Sequence, residues 1–181
     1  MSNVEQDIAL AIQGCLVNNR KAQELLYRSC YAFAAKIAMR YSRDEQDAAD
    51  ILSHAFVKVF KHIHQYDGSK SNFHAWLKRI VINEGLDHIK ARNRFDSPTE
   101  LDAAEEVPIN HSVVEQMEAG EILQLVQKLP PTTHAVFVLY AVEGYTHREI
   151  GEQLQISEGT SKWYLSEARK ALQQMLKQYA K

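Results

Sequence analysis

The chain has 181 residues, with 21 Lys and Arg against 23 Asp and Glu, and a formal net charge of −2 at pH 7. The length allows one large domain or two small ones, and the charge excludes a protein that binds nucleic acid through bulk positive charge. Two cysteines are too few for a disulfide framework or a thiolate metal site, and neither an apolar run of about eighteen residues nor a signal-peptide pattern is present. We therefore expect a soluble, cytoplasmic chain.

The first 95 residues predict four helices, because apolar residues recur at spacings of three and four. Asp44 is the expected N-cap of the third helix, and Ser71 or Asn72 that of the fourth. A polar loop, YDGSKSN at 66–72, separates these two helices. The predicted helices cover about 4–17, 20–42, 44–64 and 73–94. In the second helix the apolar stripe comprises Leu25, Leu26, Cys30, Phe33, Ile37 and Tyr41.

One face of the fourth predicted helix is polar. Its residues are spaced three or four apart and therefore share that face: Arg79, Asn83, Asp87, Lys90 and Arg94. Trp76 is expected in the core, because its neighbours Leu77 and Ile80 are apolar. A solvated face fits this pattern, and so does a surface for exposed bases, because cations hold phosphates, amides read base edges and nearby aromatic rings stack.

The near-zero net charge conceals a partition along the chain. Residues 1–95 carry 14 basic and 10 acidic residues, residues 96–121 carry 8 acidic and no basic residues, and residues 122–181 carry 7 basic and 5 acidic residues. The acidic stretch contains two prolines and lacks a helical apolar stripe in its first half. It predicts a linker, which is a solvated connector unless its charge has a function of its own.

The C-terminal block predicts a helix-turn-helix. Thr146 and Glu149 form a capping-box pattern at the start of a short helix, and Gly151 allows a close crossing with the longer helix that follows. The predicted helices cover about 114–128, 132–143, 147–154 and 158–177. The second helix of the motif would present these residues to a DNA groove: Thr160, Ser161, Lys162, Trp163, Tyr164 and Glu167.

Catalytic signatures are missing from the sequence. It contains no Gly-rich phosphate loop, nucleophile elbow or paired-carboxylate pattern. His62 and His64 are two residues apart and so point to different sides of a helix. We predict an all-α protein that is not an enzyme and has no catalytic residue, metal site or cofactor.

Three segments, at 47–63, 73–94 and 129–172, resemble in this order the extracytoplasmic-function (ECF) group of bacterial RNA polymerase sigma factors. The resemblance implies two small helical domains joined by a flexible acidic linker. Domain boundaries are expected at 1–95, 96–113 and 114–181. Such a factor directs core RNA polymerase to promoter DNA and assists its melting, and it often has an anti-sigma partner.

The resemblance also assigns residues to roles. The third helix would contact the polymerase clamp through Asp50, Ser53, Phe56 and Lys58. The loop at 66–72 would hold a flipped minus-ten base, and the strand would be held by Tyr66, Lys70, Arg79, Asn83, Asp87, Lys90 and Arg94. The minus-thirty-five element would be contacted by Thr146, Arg148, Thr160, Ser161, Lys162, Trp163, Tyr164 and Glu167.

The chain departs from the family pattern at several of these positions. Ser53 and His54 stand where Gln-Glu is frequent, Ser161 stands where Val is frequent, and Tyr164 and Glu167 stand where relatives carry arginine. Glu167 could accept a hydrogen bond from a cytosine amino group or simply face solvent.

Two other functions remain open from the residues alone. A stand-alone helix-turn-helix regulator explains 146–172 but leaves the 66–94 pattern unused. A helical adaptor would not depend on DNA. In the sigma reading, the acidic linker would occupy the RNA channel of polymerase as an electrostatic mimic of RNA.

Overall fold

The computed structural model describes residues 3–92 and 119–179, and within these ranges every regular element is helical. The chain divides into two compact units, Met1–His88 and Ile89–Lys181. The acidic linker, the predicted helical start at 114–118 and Arg94 lie outside the described residues. The helices are α1 (Asn3–Leu16), α2 (Arg20–Ala38), α3 (Glu45–His62), α4 (Phe73–Arg92), α5 (Ala119–Gln127), α6 (Pro131–Phe137), α7 (His147–Leu154) and α8 (Glu158–Tyr179). The all-α prediction is confirmed.

Polar side chains cap three helices of the first unit, and two of them, Asp44 and Asn72, were predicted from the sequence. The Asn19 side chain accepts from two backbone N–H groups at the start of α2, and Asp44 accepts from Asp47 N–H at 2.8 Å at the start of α3. Asn72, rather than Ser71, caps α4, because its Oδ1 accepts from Ala75 N–H at 2.7 Å. These bonds satisfy N–H groups that have no partner within the helix.

The second helix ends at Ala38, four residues earlier than predicted. Tyr41 lies at helical spacing from Ile37, but its ring is buried from a turn and packs against Gly85 of α4. A Cβ on Gly85 would lie 2.6 Å from the Cβ of Tyr41, so glycine is required for this approach. Leu25, predicted in the apolar stripe, is 45% exposed. The predicted helix was therefore too long, because Tyr41 continues its apolar spacing although the helix has already ended.

The second unit contains an irregular helix before the helix-turn-helix. Pro131 opens α6, and the chain continues without a break into a π-helical segment, Val138–Val142. Gly144, at a φ of 78°, then reverses the chain toward α7. Its positive φ suits glycine, and π-helical turns are frequent at functional sites.

Candidate functional site

The polymerase-facing surface predicted on α3 is only partly exposed. Asp50 and Ser53 are exposed, and the Asp50 carboxylate accepts from the side-chain amide of Gln46 at 3.3 Å. Phe56 is 3% exposed and meets the ring of Tyr27 on α2 edge-on, at a centroid distance of 4.6 Å. The prediction that Phe56 contacts a partner is therefore wrong for this conformation, because an apolar ring at a core position of α3 packs inward.

Lys58, also predicted at the polymerase contact, forms an ion pair within the unit. Its ammonium contacts the carboxylate of Glu84 on α4 and lies 3.6 Å from Asp87 Oδ2. The hydrogen bond to Glu84 raises the pKa of Lys58 despite some desolvation. The structure thus brings together one residue predicted for polymerase and another, Asp87, predicted for DNA.

Sequence reasoning missed Glu84, whose side chain is 8% exposed. The signal was available, because Glu84 follows Leu77 by seven residues and therefore lies on the apolar side of α4. An acid at such a position needs a partner when it is buried. His88 lies one turn further along, with its Nε2 3.2 Å from Asp47 Oδ1.

The polar loop at 66–72 is held closed by its own side chains. Tyr66 donates its hydroxyl to the Ser71 carbonyl at 3.2 Å, and Asp67 accepts from both the backbone N–H and the hydroxyl of Ser69. These Ser69 bonds lower the pKa of Asp67. Lys70 is exposed and lies 3.5 Å from the Asp67 carboxylate. The loop therefore has an ordered structure with an exposed lysine.

Three aromatic rings join this loop to the start of α4. Tyr66 lies 5.4 Å from Phe73 and 5.6 Å from Trp76, and Phe73 lies 5.6 Å from Trp76, measured between ring centroids. Phe73 is buried, whereas Tyr66 and Trp76 are each half-buried. Trp76 is thus not enclosed in the core as predicted. The cluster leaves aromatic surface in contact with solvent beside the loop, which is the arrangement that stacking of an exposed base requires.

The polar face predicted on α4 is present over the described residues. Arg79, Asp87 and Lys90 are exposed and Asn83 is half-buried, whereas Leu77, Val81 and Ile82 are buried. Arg79 and Asn83 follow the aromatic cluster by one and two turns. A cation, an amide and aromatic rings therefore lie in sequence along one edge of the unit.

The turn of the helix-turn-helix forms as the sequence predicts. The Thr146 hydroxyl accepts from Glu149 N–H, and the Glu149 carboxylate accepts from Thr146 N–H at 2.8 Å, which lowers the pKa of Glu149. Gln155, at a φ of 59°, ends α7. Ser157 then caps α8 by accepting from Thr160 N–H at 2.9 Å. Gly151 permits the turn, since a Cβ there would lie 2.8 Å from the Ile156 carbonyl oxygen.

Two residues predicted to face a groove from α8 are buried. Ser161 is 0% exposed and Tyr164 is 7% exposed, so the prediction that they contact DNA is wrong for this conformation. Both lie on the side of α8 that packs against α6 and α7. Lys162 is exposed, and Thr160, Trp163 and Glu167 are half-buried. The prediction from the helix-turn-helix pattern therefore included the inner side of α8 as well as its outer side.

The exposed cations of this motif lie next to acidic residues. Lys162 pairs with Glu158 at 2.7 Å, and Arg148 lies 3.9 Å from Glu152, each within its own helix. The pairing with Lys162 lowers the pKa of Glu158. Glu167 lies 3.2 Å from Lys170. The positive field around Lys162 and Arg148 is thus locally reduced, since each of these cations has a carboxylate beside it.

Within the described residues, no group of three or more His, Cys, Asp or Glu side chains is arranged to hold a metal ion. None of the described helices is long and apolar enough to cross a membrane. Three surfaces of the described residues are therefore candidate binding surfaces. They are the exposed side of α3, the loop at 66–72 with the polar face of α4, and the outer side of the helix-turn-helix.

Comparison with known proteins gives matches in both units. The model of Sigma-70 region 2 matches residues 26–95, and that of Sigma-70, region 4 matches residues 119–172. The ECF RNA polymerase sigma factor SigE of Mycolicibacterium smegmatis is 29% identical over 150 residues, with 80% of this chain and 58% of SigE covered. The RNA polymerase sigma-H factor of Pseudomonas aeruginosa is 28% identical over 189 residues, with 97% and 96% covered.

A solved structure, that of CnrH in complex with the cytosolic domain of CnrY, matches with a TM-score of 0.49 and 23% identity, over 95% of this chain and 97% of that one. The two sigma-70 matches together cover more than half of the chain, and each falls largely within one of its two helical units. A stand-alone helix-turn-helix regulator leaves the match at 26–95 unexplained. The chain therefore belongs to the extracytoplasmic-function sigma factors, which direct bacterial RNA polymerase to specific promoters.

Proposed function

We propose that this chain initiates transcription as a cytoplasmic, non-catalytic subunit that divides its contacts between two domains. The proposed boundaries are 1–95 for the domain that binds the polymerase clamp and the minus-ten element, 96–113 for the linker, and 114–181 for the domain that binds the minus-thirty-five element. The two family matches support this division, because the first ends at residue 95 and the second begins at residue 119.

Base capture at the minus-ten element is assigned to the loop at 66–72 together with the face of α4. The observation that carries this assignment is the aromatic cluster of Tyr66, Phe73 and Trp76, which Arg79 and Asn83 follow by one and two turns of α4. Flipping a base costs a few kcal/mol, which stacking and base-edge hydrogen bonds can offset. Lys70 and Lys90 extend the same surface for phosphate contacts, and Arg94 continues the sequence pattern.

Polymerase contact is assigned to the exposed side of α3, through Asp50 and Ser53. Val57 lies one turn beyond Ser53 and is 64% exposed, so it supplies an apolar contact on the same side. Phe56 and Lys58 support this surface from within the unit. An anti-sigma factor is a second proposed partner, because the family resemblance implies one.

Duplex recognition is assigned to the outer side of the helix-turn-helix. Lys162 and Arg148 are exposed there, and Thr146, Thr160, Trp163 and Glu167 border them. Few cations are available and each adjoins an acid, so the electrostatic component of affinity is expected to be small. Core polymerase would then supply much of the affinity for the promoter. The acidic linker is proposed to mimic RNA in the polymerase channel.

Run-off transcription with purified core polymerase and a promoter library tests this function. We expect transcripts that depend on the added chain, and co-purification of the chain with core polymerase. The absence of both would refute the sigma function.

Replacing Asn83 with Ala tests the base-capture surface separately. We expect slower open-complex formation with unchanged binding to core polymerase, because the amide is proposed to contact a base. The exposed amide of Gln6 on α1 provides a control, and Gln6→Ala should leave both unchanged. Normal open-complex formation by Asn83→Ala on every minus-ten sequence tried would show that the pocket is assigned wrongly.

A further inference from the structure

The ring of His147 lies between two helical elements at the start of the helix-turn-helix. On one side it stacks on the ring of Tyr140 from the π-helical segment, with centroids 4.6 Å apart and an interplanar angle of 21°. On the other side its Nδ1 lies 2.9 Å from the hydroxyl oxygen of Ser161 on α8. One half-buried ring therefore connects the π-helical segment, α7 and the recognition helix α8.

Burial makes the contact with Ser161 important. Ser161 is 0% exposed, so its hydroxyl has no access to water and needs a partner inside the protein. Ser161 also lies directly before Lys162, the exposed cation proposed to face DNA. The bond from His147 is thus one residue away from the DNA-facing surface.

The stacking partner is also set by an irregular element. The π-helical segment ends at Val142, with Glu143 N–H donating to the Val138 carbonyl and Tyr145 N–H to the Leu139 carbonyl. The wider turn carries Tyr140 to a position over His147. A regular α-helix would rotate residues along this segment differently, since it has fewer residues per turn.

We propose that His147 is a positioning residue, which fixes the recognition helix against α7 through Ser161 and Tyr140 and makes promoter binding by this unit dependent on the charge of its ring. The proposal rests on the proposed binding of duplex DNA by the helix-turn-helix. In this arrangement the neutral imidazole of His147 forms a hydrogen bond with the buried hydroxyl of Ser161 at its edge, and its face stacks on the phenol ring of Tyr140.

The surroundings favour the neutral ring. Burial lowers the pKa of His147, and Lys162 and Arg169 on α8 lower it further, whereas Glu158 on α8 opposes them. The π-helical segment contributes the ring of Tyr140 on the other side. The folded pKa thus lies below the ordinary value of 6.5. The contribution of the neutral ring to the free energy of unfolding is fully present above pH 6.5. It is lost as the pH falls below 6.5 and through the lower pKa of the folded state.

A double-mutant cycle tests the contact in the full chain bound to core polymerase. His147→Phe keeps a ring on Tyr140 but leaves the Ser161 hydroxyl without its partner, and Ser161→Ala leaves the ring nitrogen without its partner. Each single variant should weaken promoter binding at pH 7.5 by roughly tenfold. The double variant should bind within about threefold of the unmodified chain, because removing both partners leaves no buried polar group unpaired. The proposal would be overturned if the double variant lost as much affinity as either single variant, or as much as the two single variants lose together.

A pH series provides the second readout. Because the unmodified chain can charge this ring and the double variant cannot, the promoter affinity of the unmodified chain relative to that of the double variant should fall between pH 7.5 and pH 5.5, by less than about tenfold because the pKa of the ring is lowered. A ratio that stays constant, or that rises at low pH, would overturn the proposal. If the unmodified chain forms no promoter complex with core polymerase at pH 7.5, the proposed function itself fails, and this outcome is distinct from either result above.

Discussion

Replacement of Lys58 by Met should destabilise the first unit, because it removes the cation beside a buried acid. Glu84 has 8% of its side chain exposed, and the Lys58 ammonium is its ion-pair partner across the interface between α3 and α4. Methionine retains the length and apolar stem of lysine while removing its charge. The carboxylate of Glu84 is then left in a nearly dry position without that cation.

The expected loss follows from the exposure of the two partners. Breaking a fully buried pair costs about 3–5 kcal/mol, whereas an exposed pair contributes about 0–1 kcal/mol. Lys58 is 48% exposed, so solvent screens part of the interaction, and we expect a loss of about 2 kcal/mol. For a unit of this size, that loss lowers Tm by roughly 10 °C.

Urea and thermal unfolding at pH 7 measure this loss, with two further variants as references. Lys61→Met on the same helix removes an exposed lysine and should change stability by less than about 0.5 kcal/mol. Glu84→Gln in the Lys58→Met background should recover stability, because a neutral amide needs no cation. The pKa of Lys58 is raised, so its contribution is present below pH 10.5 and is lost as the pH rises beyond that value. Stability of Lys58→Met equal to that of the unmodified chain would refute the assignment of Lys58 as a structural residue.

Three other substitutions test the packing and the DNA surface. Phe56→Ala should cost about 3–5 kcal/mol in urea unfolding and weaken polymerase binding only through the unfolded fraction; normal stability with lost binding would contradict this. Gly85→Ala should destabilise the chain by more than about 2 kcal/mol, because its methyl group meets a buried tyrosine ring. Gly159→Ala should not destabilise it, because the added Cβ would lie 3.7 Å from the Ser157 Oγ, an ordinary van der Waals distance. Glu158→Gln should tighten binding to promoter duplex severalfold and steepen its salt dependence, because it removes the carboxylate that pairs with Lys162. The control is Glu24→Gln, which breaks the matched ion pair with Arg28 on α2. Equal effects of the two substitutions would contradict the assignment of α8 to DNA.

Local signals in the sequence predicted most of the helices and caps. Asp44, Asn72 and the Thr146–Glu149 capping box all act within one turn of the chain, so their partners can be identified from spacing alone. The helix-turn-helix was found for the same reason. The end of α2 was placed too late, since the apolar spacing continues to Tyr41 although that ring is buried from a turn.

Contacts between helices were not predictable in the same way. The partners Lys58 and Glu84 are 26 positions apart, and His147 and Ser161 are 14 apart, so neither pair shares a local pattern. Both nevertheless left a trace in the sequence, since Glu84 is an acid on an apolar face and Ser161 is a hydroxyl one turn before the buried Leu165. A polar residue at a core position therefore predicts that a partner exists, although not which residue it is.

The surface residues show a related difference. The helix-turn-helix pattern identified α8 as the recognition helix but did not distinguish its sides, and so Ser161 and Tyr164 were included among the groove-facing residues. Helical periodicity separates them in principle, because Leu165 and Ala168, which are buried, lie one turn from each. Periodicity applied to the matched motif would have excluded both buried residues.

The placement of the two tryptophans gives each half of the molecule an intrinsic fluorescence signal. Trp76 belongs to the first unit and Trp163 to the second, and each contacts a tyrosine ring, at 5.6 Å and 5.0 Å respectively. The tryptophan emission of a Trp76→Phe chain therefore comes only from the helix-turn-helix, and that of a Trp163→Phe chain only from beside the loop at 66–72. Unfolding of one half, or binding of DNA to it, can thus be followed by intrinsic tryptophan fluorescence without an attached dye.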